Sequence, residues 1–81
     1  MPSSIFTDRH QAFISFLAAT RKEVGLTQVE LATRLGKPQS YVSKVERGER
    51  RIDVIEFCQI AEALERDPAE LLGEFIDMKH G

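Results

Sequence analysis

Apolar residues recur at spacings of three and four along most of the chain, and the alternating runs of Val, Ile, Thr and aromatic residues that mark strands are missing. This pattern predicts an all-α fold with five helices. The first helix is expected from about Asp8 to Glu23, with Thr7 as its N-cap and Gly25 after its end. Its predicted buried stripe consists of Phe13, Phe16, Leu17, Thr20 and Val24.

The second and third helices carry local start and stop signals. In the segment T-Q-V-E, Thr27 and Glu30 can satisfy each other's backbone amides as a capping box. Gly36 allows a sharp turn at positive φ, and Pro38 suits the first turn of the third helix. The predicted buried residues of these two helices are Leu31, Ala32, Leu35, Val42 and Val45.

The fourth and fifth helices begin with similar signals. Asp53 is followed three residues later by Glu56, which indicates a second capping box. In the segment D-P-A-E, Asp67 is the predicted N-cap, Pro68 the first helical residue and Glu70 the closing residue of a third box. The apolar residues of the two helices are Val54, Phe57, Cys58, Ile60, Ala61, Leu64, Leu71, Leu72, Phe75 and Ile76. Frayed ends are expected at about 1–6 and 77–81.

The middle of the chain has the spacing of two helices that cross over a short turn. Such a crossing needs a small residue at the contact, a glycine in the turn and apolar anchors under the second helix. Ala32, Gly36, Val42 and Val45 supply these in order. The face of the third helix opposite the two valines consists only of side chains that can form hydrogen bonds: Gln39, Ser40, Ser43, Lys44 and Arg47.

The charge is distributed unevenly along the 81 residues, a length that fits one domain spanning 1–81. Residues 1–52 hold nine Lys and Arg against five Asp and Glu, a net charge of +4, whereas residues 53–81 hold two against eight, a net charge of −6. The total of −2 does not favour a nucleic-acid partner, but the basic part can present a surface to phosphates. Two ordinary solvated faces are the alternative.

Several classes of protein are excluded by what the chain lacks. One cysteine, Cys58, forms no internal disulfide, and one Cys with two His cannot supply four zinc ligands. Cys58 is expected to be a small buried residue, and His10 and His80 to be surface residues without a catalytic partner. No apolar run is long enough for a membrane span, and the first six residues lack the features of a signal peptide. We therefore expect a cytoplasmic protein that is not an enzyme, with no metal, cofactor or small-molecule ligand.

The segment from Gln28 to Arg47, with its flanks R-K-E-V-G-L-T-Q-V-E-L-A and V-S-K-V-E-R-G, resembles the lambda-repressor-like (XRE) helix-turn-helix family. The resemblance extends from about Phe13 to Leu72, with the helix-turn-helix unit at about 28–47. It implies a compact five-helix DNA-binding domain whose third helix reads the DNA. The length and layout are most similar to those of restriction-modification controller proteins. Phage-type repressors and antitoxin-like regulators are the alternative subfamilies of small single-domain members.

The resemblance also implies roles for individual residues on double-stranded DNA. The predicted base contacts are Gln39, Ser40, Tyr41, Ser43 and Lys44, with core packing as the alternative for Tyr41. The predicted phosphate contacts are Gln28, Arg47, Arg50 and Arg51. Helix capping is the alternative for Gln28, and solubility is the alternative for the three arginines. Arg21 and Glu46 match a partly buried ion pair between the first and third helices, which is a structural role.

The leading functional hypothesis is a sequence-specific transcriptional regulator that binds a palindromic operator as a homodimer. Phe75 and Ile76 lie near the end of the fifth helix, where a small core has little left to cover them, so both are predicted dimer contacts. Folding of the whole apolar stripe onto the monomer is the alternative. A protein-interaction module with the same fold, for which the acidic second half is suited, is the alternative function.

Overall fold

The computed structural model describes residues 7–78, and this part of the chain is folded into helices without strands. The helices are α1 (Asp8–Val24), α2 (Gln28–Leu35), α3 (Gln39–Glu46), α4 (Val54–Ala63) and α5 (Pro68–Asp77). The all-α prediction with five helices is confirmed. Most of the predicted frayed ends, and His80 with them, lie outside the described residues. Asp77, which was predicted to fray, is the last residue of α5.

Most of the predicted helix ends are confirmed. Thr7 accepts the backbone amide of His10 at the start of α1, and Gly25 adopts the left-handed conformation after its end. Both reciprocal capping boxes, at α2 and at α4, are formed as predicted. These signals are predictable because each involves residues no more than three positions apart.

Two helix starts differ from the prediction. Pro38 is the N-cap of α3 rather than a helical residue, because its backbone is extended at φ −71° and ψ 157°. The residue before it still belongs to the end of α2, since the amide of Lys37 donates to the carbonyl of Ala32. Asp67 caps α5 by accepting the amide of Ala69, two residues on, instead of forming a reciprocal box with Glu70.

The core consists of two apolar clusters that share α4. One joins α2, α3 and α4 through Leu31, Ala32, Val42, Ile60 and Leu64, and the other joins α1, α4 and α5 through Leu17, Phe57, Ala61 and Leu71. α3 packs against both α1 and α2. The helix predicted to read DNA is therefore anchored from two sides, which holds its remaining face towards solvent.

The stripe of α1 and the role of Cys58 need correction. Ile14 is buried on α1, whereas Val24 is exposed because it lies in the last turn, beyond the elements that cover the helix. Phe13 and Phe16 are half-buried. Cys58 is half-buried rather than fully buried, and Phe57, Ile60, Ala61 and Leu64 supply the inward face near it.

Phe75 is part of the protomer's core, so its prediction as an exposed dimer contact is wrong. It is only 5% exposed, and its ring packs edge-on against Phe13 at 5.1 Å and at a tilt against Phe16 at 5.6 Å between ring centroids. The two α1 rings cover it from within the same chain. Ile76, the next residue, is 54% exposed.

An apolar surface does exist on α4 and α5, and it is formed by Val54, Leu72 and Ile76, which are all exposed. Val54 and Leu72 line an open groove of about 200 Å³ together with Phe13, Ile52, Asp53 and Phe57. Ile76 follows Leu72 by one helical turn. We call these three exposed residues the α4–α5 apolar surface.

Candidate nucleic-acid interface

α2 and α3 form a helix-turn-helix unit, as the spacing of small and apolar residues predicts. The helices meet through buried Ala32 and Val42. Gly36 turns the chain between them at φ 68°, a left-handed conformation that costs glycine little. The amides of Gly36 and Lys37 donate to the carbonyls of Thr33 and Ala32, so the tight turn leaves neither amide unsatisfied.

The outward face of α3 is polar along its whole length. The predicted base-reading residues, Gln39, Ser40, Tyr41, Ser43 and Lys44, all lie on this helix. Three of them are exposed, namely Gln39, Ser40 and Lys44. Tyr41 and Ser43 are half-buried at the edge of the helix. Both valines of α3 are buried on the opposite side. The helix therefore offers hydrogen-bonding groups to solvent without disturbing its packing.

A buried ion pair fixes α3 on α1. Arg21 donates to both carboxylate oxygens of Glu46, from Nε to Oε2 at 2.7 Å and from Nη2 to Oε1 at 3.1 Å, and its Nη1 donates to the carbonyl of Leu26 at 2.7 Å. The two side chains are only 8% and 10% exposed. The predicted pairing of Arg21 with Glu46 is confirmed.

Gln28 extends this ion pair to the start of α3. Its Nε2 donates to Glu46 Oε1 at 2.9 Å, and its Oε1 accepts a longer hydrogen bond, 3.4 Å, from Nε2 of Gln39. Gln28 is half-buried at the first position of α2. A predicted phosphate-contacting residue and a predicted base-reading residue are thus linked side chain to side chain before any DNA is bound.

Tyr41 lies under two cations. Lys37 Nζ is 5.4 Å from the centre of its ring, and the Arg50 guanidinium carbon is 4.8 Å from it. Partial burial, and secondly the charge of Glu56, raise the pKa of the Tyr41 hydroxyl above its ordinary value. A hydrogen bond with the side chain of Glu56 also raises this pKa, so the hydroxyl already has a partner within the protein.

The loop from α3 to α4 packs closely on α1. Gly48 has φ 79° and is buried. The backbone conformation favours glycine there, and an added Cβ atom would lie only 3.0 Å from Nε2 of Gln11 and 3.4 Å from Cδ1 of Ile14. This contact places the three predicted phosphate-binding arginines beside the end of α3.

The three arginines differ in their surroundings. Arg47 donates from Nε and Nη2 to Glu49 at 3.0 and 3.2 Å, and from Nη1 to Ser43 Oγ. Arg50 donates to both oxygens of Glu56 at 3.2 and 2.8 Å and to the carbonyl of Arg51 at 2.7 Å, besides stacking on the tyrosine ring. The side chain of Arg51 is exposed.

Sequence reasoning missed the acidic partners of these arginines. Arg47 lowers the pKa of Glu49 through its hydrogen bonds and secondly its charge. The hydrogen bonds of Arg50, and secondly that of the Asp53 backbone amide, lower the pKa of Glu56. The only available signals were the two-residue separation of Arg47 from Glu49 and the position of Glu56 in a capping box. Neither signal distinguishes an arginine free to bind phosphate from one already held.

Residues 7–78 hold no cluster of His, Cys, Asp and Glu side chains suited to a metal ion. No helix within this range is both long and apolar enough to cross a membrane.

A helix-turn-helix whose second helix exposes a polar face defines a DNA-binding domain. The helix-turn-helix family model matches residues 17–71, so the chain belongs to the helix-turn-helix family, and within it to the XRE type. The protein is a DNA-binding transcriptional regulator. This agrees with the resemblance identified from the residues of α2 and α3.

Three relatives illustrate this membership. The HTH-type transcriptional regulator y4dJ of Sinorhizobium fredii is 43% identical over 58 residues, which are 72% of this chain and 75% of that protein. An XRE-family like protein of Pseudomonas syringae pv. tomato has a TM-score of 0.81 at 48% identity, over 88% of this chain and 87% of that one. The restriction-modification controller protein C.AhdI of Aeromonas hydrophila has a TM-score of 0.67 at 39% identity, over 73% and 86%.

Proposed function

We propose that the protein binds a palindromic operator as a homodimer and that each protomer inserts α3 into a major groove. The supporting observation is the polar face of α3, which is exposed while the other side of the helix is anchored by α1 and α2. The proposed action is occupancy of DNA in the cytoplasm, with no catalytic step and no cofactor.

The N-terminal part of α3 contributes the proposed base contacts. Helices in the major groove read base edges mainly from their first turns, where Gln39 and Ser40 lie, with Lys44 one turn further on. Glutamine pairs well with adenine and lysine with guanine, whereas the serines discriminate weakly. Tyr41 is the remaining proposed base contact, and its hydroxyl must exchange the side chain of Glu56 for a base edge to make it. Sequence preference therefore depends mostly on Gln39 and Lys44.

The proposed phosphate contacts surround this face. Gln28 lies at the N-terminus of α2, where free backbone amides favour an anion. Arg47, Arg50 and Arg51 follow the end of α3 and add sequence-independent affinity that depends on salt. Arg50 is held by Glu56, by the Arg51 carbonyl and by the ring of Tyr41, so we rank it below Arg47.

Replacing Gln39 or Lys44 with alanine tests the reading helix. Each change should weaken binding to the preferred sequence by about 1 to 3 kcal/mol and relax the preference at one base pair of each half-site. The preferred sequence is obtained by selection from a random duplex pool, and affinities are then measured by gel shift on it and on a scrambled duplex.

Gln59→Ala and Lys22→Ala are matched controls, because both residues are exposed on other helices. They should bind the selected duplex as the unchanged protein does. If Gln39→Ala and Lys44→Ala also bind both duplexes unchanged, α3 is not the reader. If the unchanged protein selects no sequence at all, a protein-interaction module becomes the better interpretation.

The proposed dimer uses the α4–α5 apolar surface. Its three residues are exposed in the protomer, and an apolar patch of this kind on a small domain favours contact with a copy of itself. Ile76 remains a proposed contact, and Leu72 and Val54 replace Phe75 around it. The proposal requires that a two-fold contact here set two reading helices about 34 Å apart, one turn of B-DNA, so that they reach successive major grooves.

The double substitution Leu72→Glu/Ile76→Glu should convert the dimer to a monomer, because two carboxylates per protomer cannot be buried without partners. Sedimentation velocity at micromolar concentration measures the change. Val29→Glu is the control, since Val29 is an exposed apolar residue on α2, and it should leave the dimer intact. A monomeric unchanged protein, or a dimeric double variant, contradicts this interface.

A further inference from the structure

All three nitrogens of the Arg47 guanidinium group take part in hydrogen bonds within the protein. Two of them donate to the carboxylate of Glu49 and one to the hydroxyl of Ser43. A carboxylate that meets an arginine through two parallel hydrogen bonds has the same geometry as a phosphate in that position. The edge of Arg47 formed by Nε and Nη2 must therefore give up Glu49 before it can hold a phosphate through two parallel hydrogen bonds.

Glu49 also lies close to a proposed base contact. Its backbone amide donates to the carbonyl of Lys44 at 2.9 Å, which folds the chain back along the end of α3. The positive charge of Lys44 contributes to the lowered pKa of the Glu49 carboxyl, after the larger effect of Arg47. The carboxylate of Glu49 is thus held by Arg47 and lies within the electrostatic influence of Lys44, and Arg47 also holds the hydroxyl of Ser43.

We propose that Glu49 is an internal competitor of the DNA phosphate, which holds Arg47 in the free protein and is displaced from it on binding. This inference rests on the proposed function of α3. Both partners of the ion pair are more than half exposed, at 55% and 56%, so exchange with a phosphate is cheap. The chain separation of two residues keeps the carboxylate available when DNA dissociates.

The neighbouring ion pair shows why the competitor is Glu49 and not Glu56. Arg50 is held by Glu56, by the Arg51 carbonyl and by the ring of Tyr41, and its carboxylate partner is only 20% exposed. Glu56 is itself fixed by the capping box of α4. Arg50 should therefore exchange its partners for a phosphate less readily than Arg47, in line with its lower rank among the proposed phosphate contacts.

While Glu49 holds Arg47, the protein should bind DNA of any sequence more weakly than it would without this carboxylate. Competition for a phosphate contact weakens sequence-independent binding. Base contacts then account for a larger share of the total affinity, which increases the preference for the operator sequence. Removing the negative charge with Glu49→Gln should tighten binding about two- to fivefold, the range that corresponds to an exposed ion pair. The gain should require Arg47.

A double-mutant cycle on random-sequence duplex DNA tests this requirement. Binding is measured by fluorescence anisotropy over a salt series for the unchanged protein, Glu49→Gln, Arg47→Gln and the double variant. Glu74→Gln is the matched control, because it removes the same charge and breaks the surface pair of Glu74 with Arg66 on α5. Helical circular dichroism checks that each variant is folded.

The proposal predicts that Glu49→Gln increases the affinity for DNA more than Glu74→Gln does. When Arg47 is already replaced by Gln, adding Glu49→Gln should increase the affinity only as much as Glu74→Gln does. Equal gains in both backgrounds, or no gain at all, overturn it while the proposed function stands. If Arg47→Gln keeps both the affinity and the salt slope of the unchanged protein, Arg47 does not bind phosphate. That result contradicts the proposed phosphate contact of Arg47, and therefore also the proposal that Glu49 competes with phosphate for it.

Discussion

Arg21→Met should lower the free energy of unfolding by about 3 to 5 kcal/mol, because it leaves the carboxylate of Glu46 buried without its cation. The carbonyl of Leu26 loses its donor at the same time. Small domains are stable by only about 5 to 15 kcal/mol, so the loss is a large fraction of the total. Urea unfolding followed by helical circular dichroism measures it.

Two comparisons separate the ion pair from a general effect of losing an arginine. Arg66→Met breaks a surface pair with Glu74 and should cost less than about 1 kcal/mol. Arg21→Met/Glu46→Met removes both charges and should recover much of the stability, since a buried pair can often be replaced by apolar side chains. A double variant as unstable as the sum of its single changes contradicts this account.

The same ion pair matters for recognition. Glu46 accepts hydrogen bonds from Arg21 and Gln28, and Gln28 in turn accepts one from Gln39. Loss of Arg21 should therefore disorder the side chain that we propose for reading adenine, as well as destabilise the fold. The contacts that hold α3 in place and those that orient its first residue belong to one network.

Phe75→Ala should destabilise the protomer by about 3 to 5 kcal/mol, because it removes a buried ring and leaves a cavity between Phe13 and Phe16. Ile76→Ala, one residue further along α5, should cost the protomer less than about 1 kcal/mol, since its side chain is more than half exposed. Urea unfolding at several protein concentrations measures both.

The concentration series distinguishes folding from assembly. The loss caused by Phe75→Ala should be nearly independent of protein concentration, whereas any loss caused by Ile76→Ala should grow as concentration rises and the unchanged protein dimerises. If Phe75→Ala does not fold, Phe75→Leu, which retains most of the apolar volume, should show a smaller loss of the same kind. Equal losses for Phe75→Ala and Ile76→Ala contradict the burial that separates these two residues.

The helix boundaries and the helix-turn-helix unit were predictable from local patterns. A capping box such as that of Thr27 and Glu30 depends on residues three positions apart, so neighbouring elements hardly affect it. The order of Ala32, Gly36 and Val42 likewise specifies a helix crossing over a tight turn. These patterns, with the resemblance they support, were sufficient for the fold and the polar face of α3.

The hydrogen-bond partners of each arginine were not predictable from local patterns in the sequence. Arg47 and Arg50 have the same charge and lie three residues apart, yet one is held by an exposed carboxylate and the other by a half-buried cluster. Long side chains choose among several acceptors, and the choice depends on how the loop turns at Gly48 and packs on α1. Their partners therefore become visible only when the elements are assembled.

The apolar stripe of α5 shows the same division most clearly. Its helical period follows from the order of residues, because side chains three and four positions apart lie on one face whatever surrounds the helix. The period assigns Phe75 and Ile76 to neighbouring edges of a broad stripe without saying which edge is covered. That depends on the rings of Phe13 and Phe16, about 60 residues earlier in the chain, which close over Phe75 and leave Ile76 at the surface.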